Sequence, residues 1–212
     1  MIKKRIFKYV MSQLSKPSGI IGIFSAILMN ISNRNLYKCV SDNLKPTFSD
    51  TILEIGFGNG RLIKLAAQHK CKKICGIDIS PDMIAVAKVT NKHYILKNKV
   101  ELKFGDIKRI PFPNNSFNII YTVNTLYFWE DINNSLLEIN RVLVGDGIFI
   151  NAYFSSKRFA NTFSSELQFR QYDITFLKNE YNKSGLNILK IIERNNDSII
   201  CIISQKHSIL KK

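Results

Sequence analysis

The sequence predicts an α/β protein whose sheet is mostly parallel and ends in an antiparallel pair. Three observations predict it. From Thr51 onward, short apolar runs alternate with helical periodicity, as parallel strands joined by crossover helices require. The first run breaks at Gly56-Phe57-Gly58-Asn59-Gly60, a glycine at every second position, which reads as a tight strand-to-helix turn. The tail then changes to two β-rich runs, over 186–193 and 198–204. They are joined by Arg194-Asn195-Asn196-Asp197, which has the composition of a hairpin turn.

Residues 1–45 read as a helical extension that caps the ligand crevice, ahead of a domain over 46–212. Ile6, Tyr9, Val10, Gln13 and Leu14 form a stripe at helical spacing, broken by Lys16-Pro17-Ser18-Gly19. A second helix is expected over 19–30 and a third over 35–44, ended by Pro46. Strand one spans 51–55, and a helix over 60–69 turns Leu62, Ile63, Leu65 and Ala66 inward. Strand two, over 73–77, ends at Asp78. Ser80 then suits an N-cap and Pro81 the first helical position. Strand three covers 100–104 and leads to Gly105-Asp106. The loop Ile110-Pro111-Phe112-Pro113-Asn114-Asn115 precedes strand four at 117–122. A helix from about Asp131 carries Leu136, Leu137, Ile139, Val142 and Leu143. Gly145-Asp146-Gly147 reads as the turn into strand five, at 148–153. Phe159, Phe163, Phe169 and Tyr172 mark a less regular stretch. A helix over 175–184 then ends at Gly185, a natural C′ glycine.

Composition bounds the function. A chain of 212 residues with 45% hydrophobic and 22% charged content buries a real core in one domain. The net charge of +15 invites a nucleic-acid reading. The excess is spread over the whole length, however, and accompanies abundant Lys, Asn and Ile, as a base-composition bias would produce. Only Lys3-Lys4-Arg5-Lys8 is a cluster. No apolar run reaches the roughly 18 residues that span a bilayer. The nearest, at 20–31, is interrupted by Gly22, Ser25 and Asn30, which leaves peripheral contact with a membrane surface as its only membrane role. Cys39, Cys71, Cys75 and Cys201 complete no zinc pattern and read as buried free thiols of a cytoplasmic protein. No metal is expected.

The glycine spacing decides between ligands. A dinucleotide turn needs Gly-x-Gly-x-x-Gly, and Arg61 stands where its third glycine belongs. No Gly-Lys-Ser/Thr follows, which excludes a phosphate-binding Walker loop. A bare turn with no ligand would not call for three alternating glycines, each costly in backbone entropy.

Leu53-Glu54-Ile55-Gly56-Phe57-Gly58-Asn59-Gly60 resembles the first motif of the class I S-adenosylmethionine-dependent methyltransferases. Gly76-Ile77-Asp78-Ile79-Ser80-Pro81-Asp82-Met83 resembles the second. Gly105-Asp106-Ile107 with Ile110-Pro111-Phe112 and Ser116-Phe117-Asn118 resembles the third, and Leu137-Glu138-Ile139-Asn140-Arg141-Val142-Leu143 the fourth. The resemblance covers about residues 50–150, in the family's order. It implies a Rossmann-like seven-stranded sheet of order 3-2-1-4-5-7-6, with strand seven antiparallel and helices on both faces. It implies S-adenosylmethionine as methyl donor and S-adenosylhomocysteine as product. By matching positions, Gly56, Gly58 and Gly60 admit the cofactor's methionine part and ribose, and Glu54 orders its amino group or the loop. Asp78 takes the ribose hydroxyls, Ile79 and Met83 sandwich the adenine, and Asp106 and Ile107 bind its edge. Asn124 closes the methionine side.

The chemistry asks for alignment first, because a sulfonium is already an activated electrophile. Holding a nucleophile in line supplies roughly 7–11 kcal/mol. A general base matters only for a protonated acceptor. His69, His93 and His207 fall on helix or terminal surface. Tyr127 and Trp129 are better placed, as a wall for an apolar or cationic acceptor, and Tyr127 is the candidate proton-handling residue. The Asn/Asp-Pro-Pro-Tyr/Phe signature of base and glutamine methylation is absent, since the chain reads Asn124-Thr125-Leu126-Tyr127. These features favour a small-molecule acceptor. Nucleic acid, and a relative that binds the cofactor without turnover, stay open as alternatives.

Overall fold

In the computed structural model, residues 30–155, 170, 172–194 and 198–207 are described. The stripe over 6–14, the basic cluster at 3–8, most of the helix expected over 19–30, Phe159, Phe163, Phe169 and turn residues 195–197 lie outside them.

β1 (Thr51–Ile55) is the hub. It pairs in parallel with β2 (Lys73–Asp78) on one side and β4 (Phe117–Val123) on the other. β3 (Val100–Phe104) adds beyond β2, and β5 (Leu143–Phe154) beyond β4, both parallel. The tail then inserts β7 (Ile199–Lys206) antiparallel against β5, with β6 (Leu186–Arg194) antiparallel to β7 at the edge. The order is β3-β2-β1-β4-β5-β7-β6, as the resemblance implies. Ile52, Leu53, Ile74, Ile77, Ile120 and Ile150 are almost wholly buried, because the central strands are covered on both faces.

The helix ends follow the caps. α1 (Arg34–Asn43) buries Leu36, Cys39 and Val40 against the sheet. α2 (Arg61–Ala66) leaves the glycine turn. α3 (Pro81–Thr90) starts with Ser80 Oγ accepting from the Met83 N–H at 3.2 Å and Pro81 at its first position. α4 (Lys92–Leu96) is a short helix that the sequence reading did not separate from α3. A 3-10 turn covers Leu126–Phe128. α5 (Ile132–Val142) is capped by Asp131, and α6 (Ile174–Lys183) by Asp173. Gly185, at φ +72°, ends α6.

One expected boundary is wrong. Gly145-Asp146-Gly147 does not precede strand five but lies within it. The strand starts at Leu143, Asp146 takes φ +61°, and the register against β4 shifts between Phe117 and Ile119. A stretch with turn composition is here a bulge. Lys206 of β7 holds it in place, donating from Nζ to the carbonyls of Asn140 at 2.8 Å and Leu143 at 2.7 Å.

The fourth motif positions the third. The Glu138 carboxylate accepts the Ile110 N–H at 2.8 Å and pairs with Arg141. Arg141 donates to the carbonyls of Ile110 and Phe112, each at 2.9 Å. This fork fixes the loop after Asp106. All four cysteines are buried and free. Among the described residues no helix is long and apolar enough to cross a membrane, and no group of His, Cys, Asp or Glu is arranged to hold a metal ion.

Candidate functional site

Parallel strands end at one edge of the sheet, and the connections of β1 and β4 depart to opposite faces. The crevice opens there, as topology requires. Its floor is the turn after β1, and its sides are the ends of β2 and β4 and the loop after β3.

The three glycines of the turn all take positive φ, but each for its own reason. At Gly56 a Cβ would come within 2.5 Å of the Thr125 methyl, so the turn lies directly against the loop after β4. At Gly60 a Cβ would strike Ala87 and Asn91 of the α3 end, at 2.7 and 2.6 Å. Gly60 therefore packs the turn onto α3 rather than facing the crevice. Around Gly58 the space is open, and its N–H donates to Asp78 Oδ2 at 2.8 Å. Asp78 Oδ1 accepts the Ser80 N–H at 2.9 Å. Burial pushes the Asp78 carboxyl up, while the N–H groups of Ser80, Gly58 and Ile79 pull it back. Asp78 lines the crevice together with Ile79.

Across the crevice, Asp106 and Ile107 line the wall after β3. The Asp106 carboxylate accepts the Lys108 N–H at 2.9 Å and so shapes its own turn. Glu54, at the end of β1, is 2% exposed, and its carboxyl accepts from Tyr121 Oη at 2.9 Å. Burial pushes it up to about 8, the Tyr121 hydrogen bond opposes this, and the nearby Asp78 charge adds to it. At neutral pH Glu54 is mostly protonated until a cation comes beside it.

The raised value has a consequence for stability. The folded chain holds this proton from about 4.5, the ordinary carboxyl value, to about 8. The unfolded chain releases it at the lower limit, so it binds fewer protons across that window. Stability from this group is therefore highest at low pH and falls as pH rises, by up to about 1.4 kcal/mol per pH unit. Urea unfolding across the window is expected to show that slope, and Glu54→Gln to flatten it. A wild-type profile indistinguishable from that of Glu54→Gln rules the raised carboxyl out.

Two expected residues are elsewhere. Tyr127 does not border the crevice. It is 7% exposed, packs edge-on against Tyr153, and donates from Oη to the Phe154 carbonyl at 2.5 Å. Its place in the 3-10 turn points it inward, and its neighbours Phe128 and Trp129 form the wall instead. Met83 is fully buried beneath α3 and is not an adenine face.

Sequence reading missed the polar side of the crevice. Asn30, Asn33 and Tyr37, at the start of α1, line it together with Asn124. Asn124 stands at the end of β4 with φ +61°, held by its N–H to the Ala152 carbonyl at 2.8 Å. Nothing in a single sequence marks Asn30 or Asn33, since polar residues at a helix start read as caps. Asn91 was also missed. It is buried, and its Nδ2 donates to the Gly60 carbonyl at 3.0 Å, which clamps the glycine turn to the end of α3.

Comparison with known proteins agrees with this geometry. A family model described as "Methyltransferase domain" matches residues 53–151, from β1 into β5. The putative methyltransferase YrhH of Bacillus subtilis is 31% identical over 165 residues, which cover 78% of this chain and 83% of that protein. A putative methyltransferase solved with the Haloferax volcanii Trm112 methyltransferase activator superposes with a TM-score of 0.76. Its identity is 15%, over 87% of this chain and 94% of that one. A SAM-dependent methyltransferase from Aquifex aeolicus superposes with a TM-score of 0.68 at 16% identity, over 86% and 97% of the two chains. The structural likenesses speak to the fold, and the B. subtilis relative speaks to descent. Sheet order, motif series and relatives converge, and the chain belongs to the class I methyltransferases, enzymes that use S-adenosylmethionine as methyl donor.

Proposed function

We propose that this methyltransferase acts on a small molecule rather than on nucleic acid. One observation carries the reading. The chain has a net charge of +15, yet among the described residues the ionisable side chains lining the crevice are Glu54, Asp78, Asp106 and Glu130 against Lys108. Lys108 is itself paired with Glu130 at 2.5 Å. A nucleic-acid site needs basic groups along the path of the phosphates, and this lining would repel them. The remaining wall is aromatic and carboxamide: Tyr37, Phe128, Trp129, Asn33 and Asn124. Such a surface suits a compact, uncharged or cationic acceptor.

The residues present fit the cofactor. Asp78, which lines the crevice, would accept the ribose hydroxyls, and the open space at Gly58 leaves room for a ligand against the main chain. Ile79, Asp106 and Ile107 line the crevice; in this reading Ile79 would pack on the adenine and Asp106 and Ile107 would bind its edge. Glu54 suits the amino group, because a bound ammonium offsets the cost of ionising a buried carboxyl. When bound, the cofactor supplies a methyl group already activated on sulfur. The protein's part is to hold the two reactants in line and keep water out. In this reading residues 1–45 form the cap, and the Asn33 and Tyr37 side chains at the α1 end are its described inner surface.

Affinity for structured RNA at two salt concentrations tests the acceptor class. Binding is expected to be weak and to vanish as salt rises, with no methyl incorporated into RNA. Stoichiometric methylation of RNA would replace the small-molecule reading.

A further inference from the structure

A one-way chain of hydrogen bonds ties the wall after β4 to the glycine turn. Thr122 donates its hydroxyl proton to the Ile55 carbonyl at 2.8 Å. In the 2.6 Å contact between the Thr122 and Thr125 hydroxyls, Thr125 is therefore the donor. With that proton spent, Thr125 Oγ1 accepts the Trp129 indole N–H at 3.2 Å. The chain thus runs from Trp129 through Thr125 and Thr122 to the carbonyl of Ile55, the residue before Gly56. The Thr125 methyl adds a second tie, since a Cβ on Gly56 would lie 2.5 Å from it. Ile55, Gly56, Thr125 and Trp129 all line the crevice.

We propose, resting on the reading of this crevice as the cofactor site, that Thr125 is a positioning residue for methyl transfer. Its hydroxyl holds the turn that receives the cofactor and the Trp129 ring of the opposite wall as one unit. The turn is a fixed reference, because the Gly56 N–H is itself held by the Ile77 carbonyl at 2.8 Å. Trp129 is 3% exposed, and its carbonyl accepts from Arg170 Nη1 at 2.8 Å and Tyr172 Oη at 3.2 Å. Those bonds fix the main chain beside the ring. The indole N–H fixes the ring plane, and its acceptor belongs to the residue that lies on Gly56. With that N–H committed, Trp129 offers the crevice ring surface rather than a donor.

Methyl transfer rewards such coupling. A lone pair of the acceptor forms the new bond to the methyl carbon as the S–C bond breaks, with the bonding electrons left on sulfur. A proton carried by the attacking atom leaves to water. Attacking atom, methyl carbon and sulfur must lie in line, and a misplacement of about 1 Å can cost about a hundredfold in rate. Thr125 meets this demand through Gly56 and Trp129, without touching the reacting atoms. Packing alone would ask only for a methyl at position 125, which valine supplies as well. The hydroxyl is what joins the ring to the turn, and in a site this enclosed its two hydrogen bonds have no water to replace them.

Thr125→Val isolates the hydroxyl, since valine keeps the branched shape and φ −106° is open to it. Thr125→Ser keeps the hydroxyl and drops the methyl. Trp129 is the only tryptophan of the chain, so its indole N–H gives one NMR resonance in a nitrogen-labelled sample. The heteronuclear NOE of that resonance reads ring motion on the picosecond-to-nanosecond scale. It is measured on parent and variants loaded with S-adenosylhomocysteine, and calorimetry gives their affinity for that product. The expected result is an ordered ring in the parent and in Thr125→Ser, and a mobile ring in Thr125→Val with product affinity within about twofold of the parent. A ring as ordered in Thr125→Val as in the parent would overturn the proposal. So would a mobile ring in Thr125→Ser, which would assign the effect to the methyl. A roughly tenfold loss of product affinity in Thr125→Val would make Thr125 a cofactor contact instead. Thr122→Val cuts the chain one link further on and serves if Thr125→Val does not fold. Its ring is also expected to be mobile, and an ordered one would overturn the proposal. If the parent binds the product but the ring is indifferent to the hydroxyl, only this inference falls. A parent that binds no S-adenosylhomocysteine removes the reading beneath it.

Discussion

Asp78→Ala is expected to weaken S-adenosylmethionine binding at least tenfold, about 1.4 kcal/mol. Two losses add. The carboxylate is the crevice's candidate partner for the ribose hydroxyls, and hydrogen bonds to a charged group contribute about 1.5–3 kcal/mol each. The same carboxylate ties the glycine turn to the end of β2 through Gly58 N–H and to the start of α3 through Ser80 N–H. Removing it frees the turn as well as the ligand contact. Asp78→Asn separates the two. It retains one acceptor oxygen, but its NH2 must face an N–H that the carboxylate had satisfied. Both variants are expected to lose affinity, with the melting temperature followed in parallel to register the loosened turn. Calorimetric affinity for Asp78→Ala within about twofold of the parent would place the ribose contact elsewhere.

Gly60→Ala is expected to be far more damaging than Gly58→Ala, lowering unfolding free energy by about 3 kcal/mol. The added carbon meets Ala87 Cβ at 2.7 Å and Asn91 Nδ2 at 2.6 Å, in a backbone conformation that L side chains rarely adopt. Ala87 belongs to a helix and Asn91 is already committed to the Gly60 carbonyl, so neither yields cheaply. Gly58→Ala is the control. Its φ is also positive, at +52°, but its Cβ would point into open space, so it is expected to lose only about 1 kcal/mol from backbone strain. Urea unfolding measures both. Equal losses would show that strain alone, and not packing against α3, explains the glycine at 60.

The fold was legible where local chemistry and tertiary context agree. The central strands read as unbroken apolar runs because both faces are covered. Ser80, Asp131 and Gly185 mark helix ends by the same hydrogen bonding and φ that they show in the structure. Legibility failed where direction within an element decides. Tyr127 and Met83 carry the right chemistry at the right chain position, but a 3-10 turn and a helix face turn both inward. Gly60 belongs to the motif by spacing, yet its reason is the end of α3, at Ala87 and Asn91. The bulge at Asp146 has turn composition, and only the pairing with β4 shows that the strand continues through it. The polar side of the crevice was invisible for a different reason. Asn30, Asn33 and Asn124 become one device only when the end of β4 meets the start of α1, a contact spanning 91 residues of sequence between Asn33 and Asn124.

The placement of β7 between β5 and β6 governs how this protein emerges from the ribosome. Among the described strands β5 is the longest, and seven of its residues, 148–154, pair with β7 on the flank away from β4. While residues 199–206 are still within the exit tunnel, that flank of β5 is an open template for another chain. The methyl-transfer motifs are all synthesised by then, but the sheet that carries them is not yet closed. Lys206, reaching back to Asn140 and Leu143, makes closure depend on the last strand to be made. A nascent chain stalled after β6 would thus present the cofactor crevice on a sheet still prone to pair with its neighbours on the same messenger.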